Sequence, residues 1–352
     1  MSGSIDALET PCVLVDLDRV EANLQRAQAH ATAQGFALRP HIKTHKIPRF
    51  AARQVELGAV GITCQKLGEA EIMADAGLTD IFLPYNLVGP GKLARLRRLS
   101  DRVSLAVTAD SLVTIKGYAA ALAASHRPLT VLVECDTGGG RCGVQSAQEA
   151  VALAQAIAGA ADLRFGGLMT YPAPGTSAAT ARWLATAKAA IEGAGLEVPT
   201  ISAGNSPDMW DAADGVTTER RPGTYIYNDR SLVARGVATP EQCALTVLAT
   251  VVSRPTGYRA VVDAGSKSLS SDLFGLEGFG VVHGTGVRLR SLSEEHGVLD
   301  LAGTAFDPQV GDRVQILPNH ACVVSNLFDC VHLVSSGRVV GSEAVAARGR
   351  VD

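Results

Sequence analysis

Over its first two thirds the chain alternates two textures. From about residue 18 to 235, short apolar runs are separated by segments whose apolar positions recur at helical spacing. The runs predict strands at 36–43, 60–64, 80–84, 103–107, 129–136, 163–170, 199–203 and 216–219. Between them, stretches such as "SAQEAVALAQAIAGA" and "AATARWLATAKAAIEGAG" predict amphipathic helices that stop near glycine. Eight strands alternating with helices predict an α/β fold, a (β/α)8 barrel. A doubly wound open sheet is the alternative, but no GxGxxG follows the first strand. After residue 240 the texture changes. "ALTVLATVVSRP", "YRAVVDAG", "DRVQILP" and "FDCVHLV" are β-rich runs broken by Gly, Pro and Asp turns. The prediction is a barrel over 18–235 and an all-β domain from 236–352, with 1–17 joining the latter through a strand in "PCVLVDLD".

Composition agrees with this and narrows the function. At 352 residues and 47% apolar, the chain can bury a barrel core and a second one. A net charge of -3 gives no electrostatic case for nucleic acid or a membrane surface. No apolar run reaches the roughly 18 residues that a spanning helix needs. The start "MSGSIDALETP" lacks the basic and apolar regions of a signal peptide. Seven scattered cysteines without a CxxC pair suit reduced thiols, so a cytoplasmic enzyme is expected.

In a β/α barrel the chemistry gathers at the C-terminal ends of the strands. "RPHIKTHK" places Lys43 at the end of the first predicted strand and Lys46 at the start of the next helix. A strand-end lysine suits a Schiff base if neighbouring cations lower its pKa, and Arg39, His41 and His45 are candidates for that role. The usual fate of a lysine is a solvated surface charge. Two later loops suit an anion: "SAGNSPDM", with Ser202, Gly204 and Asn205, and "RPGTYIYND", with Gly223 and Thr224 after the eighth strand. A Schiff-base lysine with a phosphate site suggests pyridoxal phosphate. "VECDTGGGRCGV" presents Arg141 beyond three glycines, and "GLMTYPAPG" puts Tyr171 at the barrel mouth, free to stack on a ring or hydrogen-bond. In the β domain, His320 and Cys322 of "PNHACVVSNLFD" are spaced i and i+2. An extended strand would turn both to one face, where they could ligate a metal. A buried His and Cys in a β core is the simpler alternative, and Cys330 with His332 repeats the pairing.

With these residues together, the chain resembles the fold-type III pyridoxal-phosphate enzymes, and within them the D-threonine aldolase and D-serine dehydratase family. The resemblance runs from "TPCVLVDLDRVEANL" through "RPHIKTHK", "GITCQKLGEAE", "DTGGGRCGV", "RPGTYIYNDR" and "VVDAGSKSLSSD" to "PNHACVVSNLFD". It implies a homodimer acting on small D-amino acids with a 3-hydroxyl. It also implies Lys43 as the cofactor's covalent anchor, and Gln65, Arg141 and Tyr171 as cofactor or catalytic contacts. Ser202, Gly204, Asn205, Gly223 and Thr224 would hold the phosphate, and Arg221 would meet the ring nitrogen. His320 and Cys322 would hold a divalent metal, zinc favoured over manganese or magnesium because one donor is a thiolate. Two outcomes are open: dehydration to a 2-oxo acid and ammonia, or retro-aldol cleavage to glycine and an aldehyde. Aldolases of this family resemble "HCD" where this chain has "HAC", and carry a His after the tyrosine where it has "YPAPG". Dehydration is therefore favoured. A racemase or a non-catalytic cofactor carrier are further alternatives.

Overall fold

The computed structural model describes residues 3–123 and 125–352, which divide into two compact units. One comprises 27–43, 48–223 and 350–352; the other comprises 3–26, 44–47 and 224–349.

The first unit is the barrel. Eight strands run parallel: Ala37–Leu38, Ile62–Thr63, Asp80–Leu83, Ser104–Ala109, Leu129–Glu134, Leu163–Met169, Thr200–Ala203 and Glu219–Arg220. Ala37–Leu38 pairs with Glu219–Arg220, so the last strand returns to the first. The ring closes on the other side through Val60 N–H to Leu38 O at 2.9 Å and Thr63 N–H to Pro40 O at 2.8 Å. Helices sit between the strands because their starts are written locally. Ser146 and Glu149 form a reciprocal capping box ahead of Ala147–Ala158, and Ser111 accepts from Thr114 N at the head of Leu112–Leu122. Gly167 lets two strands approach closely, since a Cβ there would sit 1.9 Å from Thr200 O.

The first strand is much shorter than predicted. Pro40 has no N–H to give a ladder, so pairing thins to single bonds from Arg39 N to Arg220 O and His41 N to Pro222 O. Ile42–Thr44 then turns as a 3-10 helix. Lys43 therefore sits in a turn, beyond the strand. The eighth strand is also displaced from the predicted 216–219. Asp214 Oδ1 accepts from Val216 N at 2.9 Å and Thr217 N at 2.6 Å, which makes that segment a turn.

The second unit is built on a mostly antiparallel sheet. Its central path is Leu289–Leu292, Gly297–Asp300, Arg259–Val262, Leu245–Thr256, Cys12–Asp16, Cys330–Ser335 and Arg338–Ala344. Cys12–Asp16 pairs antiparallel with Leu245–Thr256 and parallel with Cys330–Ser335. Arg313–Pro318 pairs with Leu245–Thr256 and Gly280–Val282. Among the described residues no helix is long and apolar enough to cross a membrane.

Candidate functional site

In the barrel unit Lys43 is half-buried. Among the described residues its Nζ has no hydrogen bond or ion pair, and it lies 5.9 Å from the centre of the Tyr171 ring. Its own N–H donates to His41 Nδ1 at 3.4 Å, and His41 Nε2 meets Gln65 Oε1 at 3.0 Å. The His41 ring is thus engaged at both nitrogens. Arg39 lies between Asp80 and Glu219. Both side chains are therefore already engaged by neighbours within the barrel unit. In the other unit, His45 Nδ1 accepts from Ile47 N at 3.0 Å. Lys46 precedes the helix Pro48–Glu56 instead of starting it. It is buried with a φ of 56°, and its Nζ donates to Ala347 O at 3.4 Å.

Tyr171 follows the strand Leu163–Met169 and is 43% exposed. Arg141 Cζ lies 4.9 Å from its ring centre. The turn that presents Arg141 is held by one carboxylate, because Asp136 Oδ1 accepts from Gly138, Gly139 and Gly140 N at 2.9, 2.7 and 3.1 Å. Lys43, Tyr171 and Arg141 are thus brought together.

The "SAGN" loop divides its labour. Gly204 has a φ of 95°, and a Cβ there would meet the Arg220 side chain at 3.3 Å. Among the described residues the main-chain N–H groups of Gly204 and Asn205 have no acceptor, although Asn205 is 2% exposed. Two such donors suit an anion. The Asn205 side chain is otherwise engaged, donating to Pro172 O and Asp208 and accepting from Asp208 N. Gly223 N donates to Ser206 Oγ at 3.0 Å. The Ser202 hydroxyl, fully buried, is held between Glu219 and Arg221 and does not turn toward the loop.

Sequence reading passed over Glu134, the last residue of Leu129–Glu134 and only 4% exposed. The signal was there: a carboxylate ending a buried barrel strand. Its Oε2 accepts from Asn86 Nδ2 at 3.1 Å. Burial, reinforced by Asp110, pushes its pKa up to about 6 against the pull of Arg141 and Arg221. The folded protein therefore holds a proton that the unfolded chain has already released. Stability must fall as pH rises from about 4.5 to about 6 and then level off. Glu134→Gln has no such slope. Across that window urea unfolding should favour the variant by a further ~2 kcal/mol. Parallel stability curves would contradict the assignment.

In the β unit, "NHAC" is a helix start. His320 is the N-cap of Ala321–Leu327, so the pleated-strand argument for a shared face does not apply. The two side chains are nevertheless close enough to interact. Asp229, fully buried, fixes this start by accepting from Ala321 N at 3.0 Å. The preceding residue, Asn319, donates from Nδ2 to Asp272 O and Gly278 O at 3.0 and 2.9 Å. Asp272 Oδ2 lies 3.0 Å from His320 Nδ1, and Phe274 packs edge-on at 4.6 Å. Burial pushes His320 down, but hydrogen bonding with Cys322 and Asp272 and the charges of Cys322 and Asp229 prevail, carrying its pKa up to about 9. Cys322 Sγ is 3.1 Å from Thr44 Oγ1 and 3.6 Å from Thr224 Oγ1. The competing pair, Cys330 and His332, does lie on a strand, with Cys330 exposed. Among the described residues no group of three or more His, Cys, Asp or Glu side chains is arranged as a metal site.

Residues 15–231 match the model of the alanine racemase N-terminal domain, and residues 244–334 match that of a putative serine dehydratase domain. The chain belongs to this fold-type III pyridoxal-phosphate family. D-threonine aldolase of an Arthrobacter species is 34% identical over 97% of this chain and 93% of its own length. D-threo-3-hydroxyaspartate dehydratase of Delftia sp. (strain HT23) is 33% identical over 93% of this chain and 94% of its own. The crystal structure of D-threonine aldolase from Filomicrobium marinum superposes with a TM-score of 0.92 at 35% identity, covering 100% of this chain and 99% of that one. Both architecture and family agree with the sequence-based expectation.

Proposed function

We propose that this family member is a lyase for D-3-hydroxy amino acids that uses pyridoxal phosphate and a divalent metal, and that it dehydrates its substrate to a 2-oxo acid and ammonia. The observation that carries this reading is the half-buried Lys43 amine, which among the described residues has no hydrogen bond or ion pair, set beside Tyr171 and Arg141. An amine without a carboxylate partner is suited to covalent attachment.

The donors present fit the cofactor. Lys43 would anchor it, the Gly204 and Asn205 N–H groups would hold its phosphate, and Arg221 would face its ring nitrogen. Gln65, Tyr171 and Arg141 would border the ring and the substrate. The metal fits His320 and Cys322, an N/S pair typical of zinc, with Asp272 orienting the imidazole as a carboxylate does in many zinc sites. When bound, the cofactor supplies an electron sink and the metal a Lewis acid for the 3-hydroxyl. The chain's own part is to place Lys43 as acceptor of the α-proton and Arg141 as a cation for a carboxylate. The homodimer implied by the resemblance is proposed with it.

Dehydration is favoured by Cys322, which stands where the resemblance gives the aldolase branch an aspartate as second metal ligand. Retro-aldol cleavage is the second reading, favoured by the likeness to D-threonine aldolases. Product analysis separates them. Incubation with D-serine, D-threonine and D-threo-3-hydroxyaspartate should give 2-oxo acid and ammonia. Glycine and an aldehyde as main products would establish the second reading instead.

A further inference from the structure

Arg221 is a cation inside the barrel, 5% exposed. Its Nη2 donates to Thr170 O at 2.7 Å and its Nη1 to Ser202 Oγ. A guanidinium has five N–H groups, so three are left without an acceptor among the described residues. Among the described residues no carboxylate is bonded to it directly. Ser202 passes the bond on to Glu219 Oε1, and Glu219 Oε2 accepts from Arg39 Nε at 2.6 Å. Arg39 in turn reaches Asp80, which is half-exposed. Asp80, Arg39 and Glu219 line a cavity of about 170 Å³ with Thr130, Arg164 and Thr200. Most of these lie at the N-terminal starts of their strands, opposite the end that carries Lys43's partners.

One buried carboxylate thus serves two arginines, Arg39 directly and Arg221 through a hydroxyl. A buried arginine wholly without a counter-charge would be costly, and one in direct contact with Glu219 would have its donors engaged. The intervening serine avoids both. We propose that Glu219 is a positioning residue for Arg221, acting through the Ser202 hydroxyl. It fixes the guanidinium as a cation whose remaining N–H groups are presented to the ring of the bound cofactor, while Arg39 holds Glu219 from the far side. This rests on the reading of Arg221 given above and extends it to a three-residue relay that the resemblance does not assign.

The test uses the holoenzyme and its visible absorbance as a function of pH, with pyridoxal phosphate affinity after removal and reconstitution. Arg221→Lys should shift the spectral titration. Ser202→Ala and Glu219→Gln should shift it in the same direction and each weaken cofactor affinity about tenfold, the scale of a lost hydrogen bond to a charged group. The double variant should be no worse than the stronger single, because both cut one chain of contacts. A merely structural role would lower thermal stability without moving the spectrum. If Arg221→Lys shifts the titration and Ser202→Ala and Glu219→Gln do not, the relay is overturned while the reading of Arg221 stands. If Arg221→Lys leaves it unmoved, both fall. Ser202→Ala leaves the Arg39–Glu219 pair intact and decides the question alone if Glu219→Gln fails to fold.

Discussion

Lys43→Ala is expected to abolish the visible absorbance of the bound cofactor and to lower turnover by at least ~10³-fold. The scale follows from two losses at once. Removing a positioned general base alone typically costs about 10²–10⁴-fold, and the same amine is the proposed covalent anchor. Lys46→Ala should behave differently. Its Nζ is committed to the Ala347 carbonyl in a buried setting, so its removal leaves an acceptor unsatisfied and a space unfilled. The expected result is a loss of about 1–3 kcal/mol of stability with absorbance retained. Borohydride reduction followed by peptide mapping makes the distinction covalent: the cofactor should be found on Lys43. Recovery on Lys46, or unchanged absorbance in Lys43→Ala, would sink the assignment.

How much of this was legible in the sequence depends on how local the cause is. Strand and helix alternation is written in apolar periodicity, and capping residues such as Ser146 and Glu149 mark helix starts within four residues. Where prediction slipped, a short-range competitor prevailed. Pro40 thinned the first ladder, and Asp214 made a turn of residues read as strand. The "HAC" spacing predicts a shared strand face, yet a helix N-terminus capped from Asp229, some ninety residues earlier, brings the side chains together. The basic octet misled more deeply. Its charge is visible in one line of sequence, but the carboxylates that neutralise Arg39 are Asp80 and Glu219, and folding alone makes them neighbours. Glu134 and Asp229 were missed for the same reason. A carboxylate in a strand or turn announces neither its burial nor its partners.

His320→Ala and Cys322→Ala are each expected to lose the bound metal and nearly all lyase activity, while keeping the visible absorbance of the cofactor. The residues that hold the cofactor in this reading are mostly barrel residues, so the two losses should separate. Loss of metal is expected because protein zinc sites ordinarily use three or four donors, so a site cut from two donors to one has too little left to hold the ion. Asp272→Asn probes the support. It keeps the shape but removes the charge facing Nδ1, and should weaken metal affinity about 10–100-fold, read by competition with a chromophoric chelator. Cys322→Asp is the sharper variant. A carboxylate in place of a thiolate should retain a metal but move the preference from zinc toward harder cations such as manganese. If the donor at 322 also selects between dehydration and cleavage, the products of this variant should shift toward glycine. Unchanged metal content in His320→Ala and Cys322→Ala would reject the site. Retained metal in Cys322→Asp with unchanged products would leave the ligands in place and move the choice of bond to the barrel, where "YPAPG" after Tyr171 is the next segment to exchange.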